Sequence, residues 1–421
     1  MKTTLSEEQF KIFNALEHNN LNLFLTGRAG TGKSHLIKYF IENTNKNVVL
    51  LAPTGIAAVN IGGQTINKFF RIFEEGVYDP DIILPQFEDD HWDLKKAVKA
   101  LDTIIIDEIS MVRVDMFHTI DKMCQVFRGS PEPFGGIQLI LVGDLFQLPP
   151  VITDKDIRKY LISNYGGIYF FNSPNITKSM KAYQLKTIYR QSDDQFKTLL
   201  NNVREGINLT PTLDVLNQRV IPYTSKDNII LVSARNKEVD DYNAEHLAKI
   251  NAPLKTYTAT VRGEMHAFPT DLTLQLKEGA QVMMLTNDPD GRWVNGTLAK
   301  ISSLKKGVEV EIEGNKYEID TFTWRSSKYK FNESENKMES EVSGSFTQYP
   351  IRLAWAVTVH KSQGQTYDKC KVKIKNAFDH GQTYVALSRC RSFDTLYLEN
   401  KLNLKDIIID PVVKQFMSNI R

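Results

Sequence analysis

The segment Gly27-Arg28-Ala29-Gly30-Thr31-Gly32-Lys33-Ser34 limits what this chain can fold into more than any other. An apolar run, Leu21–Leu25, leads into it, and Leu36, Ile37 and Phe40 follow at the spacing of an amphipathic helix. Glycines let the backbone curl until several N–H groups converge on one point, and a helix starting there adds the positive end of its dipole. Such a strand, loop and helix form a cradle for phosphate. Lys33 is placed to reach the β- and γ-phosphates of a nucleotide, and the Ser34 hydroxyl to ligate Mg²⁺. Cradles of this kind sit at the carboxyl ends of parallel strands, so the chain is predicted to be α/β.

Val48–Ala52, Thr103–Ile106 and Gln138–Val142 are predicted as further strands of that sheet, each ending where a polar or glycine-rich segment begins. Ile104-Ile105-Ile106 runs into Asp107-Glu108, two carboxylates at one strand end. Asp107 is assigned to the metal and Glu108 to a general base that deprotonates water, a group that binding alone would not need. Gly143-Asp144-Leu145-Phe146-Gln147 ends another strand, and the Gln147 amide is suited to touch a γ-phosphate and register its loss. Arg190, in Tyr189-Arg190-Gln191, and Arg389, in Val385-Ala386-Leu387-Ser388-Arg389, lie downstream. A guanidinium at the γ-phosphate stabilises the transition state. If both arginines belong to a second domain, hydrolysis requires the two domains to close.

At 421 residues the chain is long enough for two or three domains. Apolar runs resume at Ile229–Ser233, Ala280–Leu285, Val372–Ile374 and Leu396–Leu398, predicting a second sheet. Between Gly296 and Gln348 the pattern changes: Val308, Val310 and Ile312 alternate with polar residues, Glu313-Gly314-Asn315-Lys316 reads as a turn, and Tyr317 and Ile319 resume the alternation. That predicts a small β-insertion, with the polar stretch Lys328–Ser345 as an exposed loop or hairpin. The acidic stretch within Gly76–Lys99 fits a plain sheet poorly and predicts another insertion. A net charge of +2 means that nucleic acid would need a local basic groove. Cys124, Cys370 and Cys390 are scattered without a CxxC pair, which argues against a disulfide framework or zinc site and suits a reducing cytosol. No apolar run approaches the ~20 residues of a membrane span, and the polar N-terminus is unlike a leader, so a cytoplasmic protein is expected.

Read in order, these segments resemble the helicase motifs of superfamily one, and in particular the petite-integration-frequency DNA helicases, with RecD-type helicases more distant. The resemblance runs through nearly the whole chain. Beyond the segments already named, it is carried by Leu5-Ser6-Glu7-Glu8-Gln9, Ala52-Pro53-Thr54-Gly55-Ile56-Ala57-Ala58 and Gly63-Gln64-Thr65-Ile66. Asp107-Glu108-Ile109-Ser110-Met111 continues into Val112–Phe117 and Ile120-Asp121, which resembles the family's signature sequence. Gly279–Met283, Val294–Thr297, Ala354–Thr366 and Tyr384–Arg391 complete the set. Asn67 departs from the pattern, which has histidine there, and the long N-terminal region of eukaryotic members is absent, so a compact bacterial or phage member is expected.

The resemblance implies two tandem RecA-like P-loop domains. The first covers residues 1–184 with a wedge-like insertion at about 64–100; the second covers 185–296 and 350–421, with an SH3-like β-barrel insertion at 297–349. ATP and Mg²⁺ are the implied cofactors. Gln9 would read adenine, with Gly27, Ala29, Gly30, Thr31, Gly32, Lys33, Ser34, Gln147, Arg190, Gly364 and Arg389 around the rest of the nucleotide and Ser34 and Asp107 on the metal. Single-stranded DNA would cross both domains along Pro53, Thr54, Gly55, Thr65, Asn67, Thr358, His360 and Lys361. Hydroxyls and backbone amides hold phosphates without reading sequence. Phe69, Phe70 and His266 are candidates for base stacking, although Phe69, Phe70 and Phe73 also fit a helical core face.

The implied activity is ATP-driven 5′-to-3′ unwinding of tailed, forked or structured DNA, guanine quadruplexes included, in genome maintenance, by a monomer able to self-associate on DNA in the bacterial nucleoid. A translocase that strips proteins without unwinding would carry the same motor. A GTP switch is disfavoured, because Asn236-Lys237-Glu238-Val239 fails the base-reading pattern at its fourth position.

Overall fold

Parallel strands buried on both faces are largely apolar, and period-two alternation then divides their side chains between two cores. The computed structural model shows this directly; it describes residues 5–72, 76–87, 91–173, 180–189, 191, 193–222, 229–263, 265, 268–332 and 337–420. Six strands, β1 Leu23–Gly27, β2 Val48–Ala52, β3 Gln64–Thr65, β4 Thr103–Ile106, β5 Gln138–Gly143 and β6 Lys181–Leu185, form a parallel sheet in the order β3-β2-β4-β5-β1-β6. Leu25, Ile105, Ile140 and Val142 face one core with Leu36, Ile37 and Phe40 of the helix after the phosphate loop. Phe24, Ile104, Ile106, Leu139 and Leu141 face the other, with Phe117 and Ile120 from helix Val114–Arg128. Thr26 pairs with Gly143 and Ile106 with Leu141, so the segments after β1, β4 and β5 leave the sheet side by side.

A second parallel sheet has the strand order Ala356–Thr358, Ile230–Ser233, Cys370–Lys373, Leu396–Leu398. The run expected at 280–285 does form a strand, Gln281–Met284, but it pairs antiparallel with Leu298–Ser303 and Ile351–Leu353. It belongs to a five-stranded antiparallel sheet completed by Val308–Ile312 and Asn315–Ile319. Those last two strands are joined at Glu313 (φ 51°) and Gly314 (φ 82°), the double positive φ of a tight two-residue hairpin. The polar stretch around 328–345 is a long hairpin of Phe322–Asn332 and Lys337–Gln348, to which Thr260–Gly263 adds a third strand. Lys68 of the first domain donates to Ser326 Oγ (2.7 Å) and Ser343 Oγ (2.6 Å), fastening that hairpin over the helix Ile66–Phe70. Among the described residues no helix is long and apolar enough to cross a membrane.

Among the features that join the halves are the final helix and a buried ion pair. The final helix, Pro411–Asn419, follows the second sheet in sequence yet sends Val413 and Met417 into the first-domain core, and Phe416 stacks on Phe171 with ring centroids 4.1 Å apart. Arg204, on helix Asp194–Glu205 of the second domain, grips Asp144 after β5 through Nη2–Oδ1 (2.7 Å) and Nε–Oδ2 (3.2 Å). Both side chains are fully buried, and the guanidinium also lies 4.2 Å from the centroid of Phe146. Removing one member of a buried pair leaves the other charge without a partner. Arg204→Ala is therefore expected to cost about 3–5 kcal/mol in chemical denaturation, and Asp144→Asn with Arg204→Met clearly less than that. A loss under about 1 kcal/mol for Arg204→Ala would show that the pair does not brace this interface.

Candidate active site

The phosphate loop closes between β1 and helix Lys33–Asn43. Gly30 (φ 78°) and Gly32 (φ 82°) take left-handed conformations, and a Cβ on Gly32 would stand 2.8 Å from Gln9 Nε2. No side chain caps this helix and its first turn carries no acid, so its N–H groups face the cavity uncompensated. Lys33 Nζ donates to Gly27 O (2.7 Å) and Arg28 O (3.2 Å), and burial holds its pKa down against the pull of Asp144, Glu108 and Asp107. Gln9 forms a capping box with Ser6 and donates from Nε2 to Gly32 O (3.2 Å), tying the first helix to the loop.

Asp107 is buried, and its Oδ1 accepts from the Glu108 N–H (2.8 Å). Glu108 sits at φ 51°, ψ 42°, a left-handed conformation that costs a non-glycine residue about 1–3 kcal/mol and persists where surrounding structure enforces it. Its carboxylate accepts from Gln363 Nε2 (2.9 Å), which also reaches Gln147 Oε1 at 3.5 Å. Burial first, and then the neighbouring Asp107, push the Glu108 carboxyl up to about 7; burial raises Asp107 too. Gln147 donates from Nε2 to Asp144 Oδ2 at 3.4 Å, the carboxylate that Arg204 holds.

From the second domain, Arg389 enters the same cavity almost fully buried. Its Nε donates to Val385 O (2.9 Å), Nη1 to Ser362 O and Gln365 O (both 3.1 Å), and Nη2 to Ser388 Oγ (2.8 Å). The guanidinium thus shapes the 362–365 loop as well as facing the cavity. Tyr384 accepts from the Ala29 N–H at 3.3 Å, a direct contact between the second domain and the phosphate loop. The cavity has a volume of about 950 Å³, and Ser34, Asp107, Glu108, Gln147, Gly364, Thr366, Arg389 and Arg391 share its wall. Tyr189 also lines it and donates from its N–H to Gly30 O (2.9 Å), whereas Arg190 lies outside the described residues.

The candidate DNA contacts fall at the carboxyl ends of strands in both sheets, where open parallel sheets bind ligands. Thr54 and Thr65 cap the helices Gly55–Ile61 and Ile66–Phe70, side by side because Ala52 pairs with Thr65. Pro53 and Gly55 flank Thr54 and are partly exposed. In the second sheet the buried Thr358 accepts from the Lys361 N–H (3.2 Å); Lys361 itself is exposed and His360 partly so. Asn67 is engaged internally, donating to Ile72 O (3.0 Å) and Tyr78 Oη (2.9 Å). Phe69 and Phe70 are buried in the core, 4.9 Å apart and edge to face. They offer no open ring face to a base, so their stacking role gives way to packing. His266 and Phe73 lie outside the described residues.

The contributors that no motif singled out include Gln363, Tyr384, Arg391 and the Asp144–Arg204 pair. The first three stand inside the motif segments Ala354–Thr366 and Tyr384–Arg391, but a string gives no sign of which side chain faces the cavity. Arg204 stands in an ordinary amphipathic helix, and nothing local marks it.

Comparison with known proteins bears on the whole chain. The family described as PIF1-like helicase matches residues 4–212. The chain is 33% identical to the ATP-dependent DNA helicase Pif1 of Bdellovibrio bacteriovorus, over 98% of this chain and 91% of that one. It is 32% identical to the ATP-dependent DNA helicase PIF1 of Danio rerio, over 93% of this chain but 60% of that longer protein. Among solved structures, Bacteroides sp Pif1 in complex with ADP-AlF4 superposes with a TM-score of 0.91 at 34% identity, covering 99% of this chain and 97% of that one. Bacteroides Pif1 bound to ssDNA gives 0.70 at 35% identity, with the same coverage. The two parallel sheets are accordingly tandem RecA-like domains of a P-loop helicase. Matched at 33% identity over nearly its whole length by a bacterial Pif1, and superposable on another, this chain belongs to the PIF1-like helicase family.

Proposed function

We propose that this chain is an ATP-dependent DNA helicase that moves 5′ to 3′ along single-stranded DNA and unwinds tailed, forked or structured duplexes. One observation carries the reading. A single cavity is walled by Lys33, Asp107, Glu108 and Gln147 from one sheet domain and by Gly364 and Arg389 from the other, so a bound nucleotide would bridge both. The ADP-AlF4 complex of Bacteroides Pif1 supports ATP as that nucleotide.

The roles follow from position. The loop N–H groups and Lys33 hold the phosphates, exchanging the Gly27 and Arg28 carbonyls for phosphate oxygens. Mg²⁺ fits Ser34 and Asp107, since a hydroxyl and a carboxylate are hard oxygen donors. When bound, Mg²⁺ neutralises charge on the β- and γ-phosphates. Glu108 takes the proton of the attacking water, Gln363 orients that carboxylate, and Gln147 and Arg389 meet the transferred phosphoryl group.

Translocation is the consequence of a shared site: nucleotide draws the domains together and its hydrolysis lets them part, moving DNA held at Thr54, Thr65, Thr358 and Lys361. The long hairpin covers this surface through Lys68. The TM-score against Bacteroides Pif1 is 0.89 for the unliganded form and 0.70 for the ssDNA-bound form, so the arrangement described above stands nearer the DNA-free one. The proposed division is residues 1–184 and 185–421, with an SH3-like insertion at 297–349 and a wedge in 64–100. Helix Trp92–Ala100, with Trp92 62% exposed, is the proposed wedge surface. Action at the nucleoid is part of the same proposal.

Strand separation on a duplex with a 5′ single-stranded tail tests this, with a 3′-tailed duplex as control; unwinding of the 3′-tailed substrate alone would overturn the direction. ATP hydrolysis without separation of either duplex would favour a protein-stripping translocase. Lys33→Ala should lower DNA-stimulated ATPase by at least ~100-fold while DNA binding persists. Trp92→Ala should slow separation without slowing ATPase, and equal slowing of both refutes the wedge. A base works only as the carboxylate, and kcat/KM reports the free enzyme. With Glu108 near 7, kcat/KM for ATP should rise with pH and level off above that value, after correction for the titration of ATP itself. A flat profile from pH 6 to 8 would contradict the assignment.

A further inference from the structure

The second domain touches the loop carrying Gln147 at two successive residues, and neither has a part in the roles assigned above. Gly381, at φ 73°, lies so close beneath the loop that a Cβ would stand 2.5 Å from Gln147 O and 2.6 Å from Phe146 O. His380, next to it, is 3% exposed. Its Nε2 lies 2.8 Å from Leu145 O, and its Nδ1 lies 2.9 Å from the Asp410 nitrogen. A backbone N–H can only donate, so Nδ1 is the acceptor and the ring carries its proton on Nε2, directed at the Leu145 carbonyl. Both ring nitrogens of a neutral imidazole are thereby spent on backbone groups.

The two ends of this bridge lead to different places. Asp410 caps the final helix and accepts from Tyr169 Oη (2.9 Å), so it is anchored in the first domain. Gly381 caps helix Gln382–Leu387, which presents Tyr384 to the phosphate loop and runs directly into Arg389. His380 therefore stands where the Gln147 loop, the anchored terminal helix and the helix leading to Arg389 meet.

We propose that His380 is a positioning residue for ATP hydrolysis: it fixes the Leu145–Gln147 backbone against the helix leading to Arg389, so that the amide and the guanidinium reach the transferred phosphate in one geometry. This rests on the hydrolytic reading given above. Ground-state binding of nucleotide depends on the loop N–H groups and Lys33, which do not touch His380. The effect therefore belongs in kcat rather than KM, where a misplacement near 1 Å costs up to ~100-fold.

DNA-stimulated ATPase is measured for the wild type, His380→Phe and His380→Gln. Phenylalanine fills the space without either hydrogen bond, whereas the glutamine amide can still donate to Leu145 O. His380→Phe should lower kcat on the order of 10-fold with KM for ATP within about twofold, and His380→Gln should recover most of the loss. Should His380→Phe fail to fold, His380→Met is the second chain without a donor, compared with His380→Gln in the same way. A donor-free variant with wild-type kcat, or a kcat loss that His380→Gln does not relieve, overturns the proposal and leaves the hydrolytic reading intact. A wild-type protein that hydrolyses no ATP overturns both.

Discussion

The ion pair between Asp144 and Arg204 is the contact on which the arrangement of the site depends. Two opposite charges out of water cost several kcal/mol each in desolvation, and only close bidentate geometry offsets that. Here burial pushes the Asp144 carboxyl up, but the Arg204 guanidinium outweighs it and holds the pKa below the usual range; the carboxylate likewise keeps the Arg204 pKa raised. The pair fixes the loop after β5 relative to a second-domain helix. Gln147, three residues on, then has a defined place, and Leu148 joins the second-domain core.

From that brace the other cross-domain contacts form one connected set. Gln363 reaches Glu108 and Gln147, Tyr384 reaches Ala29, and His380 reaches Leu145. All come from second-domain segments near its last strands, and all land on loops at the carboxyl ends of β1, β4 and β5. A nucleotide in the cavity would lie against both sides of this set. Movement of one loop would thus be felt by the segment that carries Arg389, which is the mechanical requirement of a motor driven by hydrolysis.

Much of the first domain was legible in the sequence because its signals are local. Val48–Ala52 and Thr103–Ile106 are strands with the expected bounds, since a short, mostly apolar run between turn residues has few other uses in a parallel sheet. The edge strand Lys181–Leu185 went unread, because its exposed alternate residues dilute the apolar signal. The strand Gln281–Met284 was legible as a strand but not in its partners, since an apolar run serves a parallel or an antiparallel neighbour equally well. Phe69 shows the opposite limit: an aromatic beside a candidate DNA contact reads as either platform or core, and burial decides for core.

The sequence by itself determined which side chains form the first-domain wall of the cavity. Lys33, Ser34, Asp107, Glu108 and Gln147 each stand in a contiguous segment placed by its own strand, turn and spacing. Only the tertiary structure decided how Arg389 is held, which glutamine meets Glu108, that His380 bridges a loop to a distant helix, and that the final helix returns to the first domain. The physical reason is the same in each case. These contacts join groups roughly 200 or more residues apart in several instances, and local periodicity carries no record of which distant surface a side chain will meet.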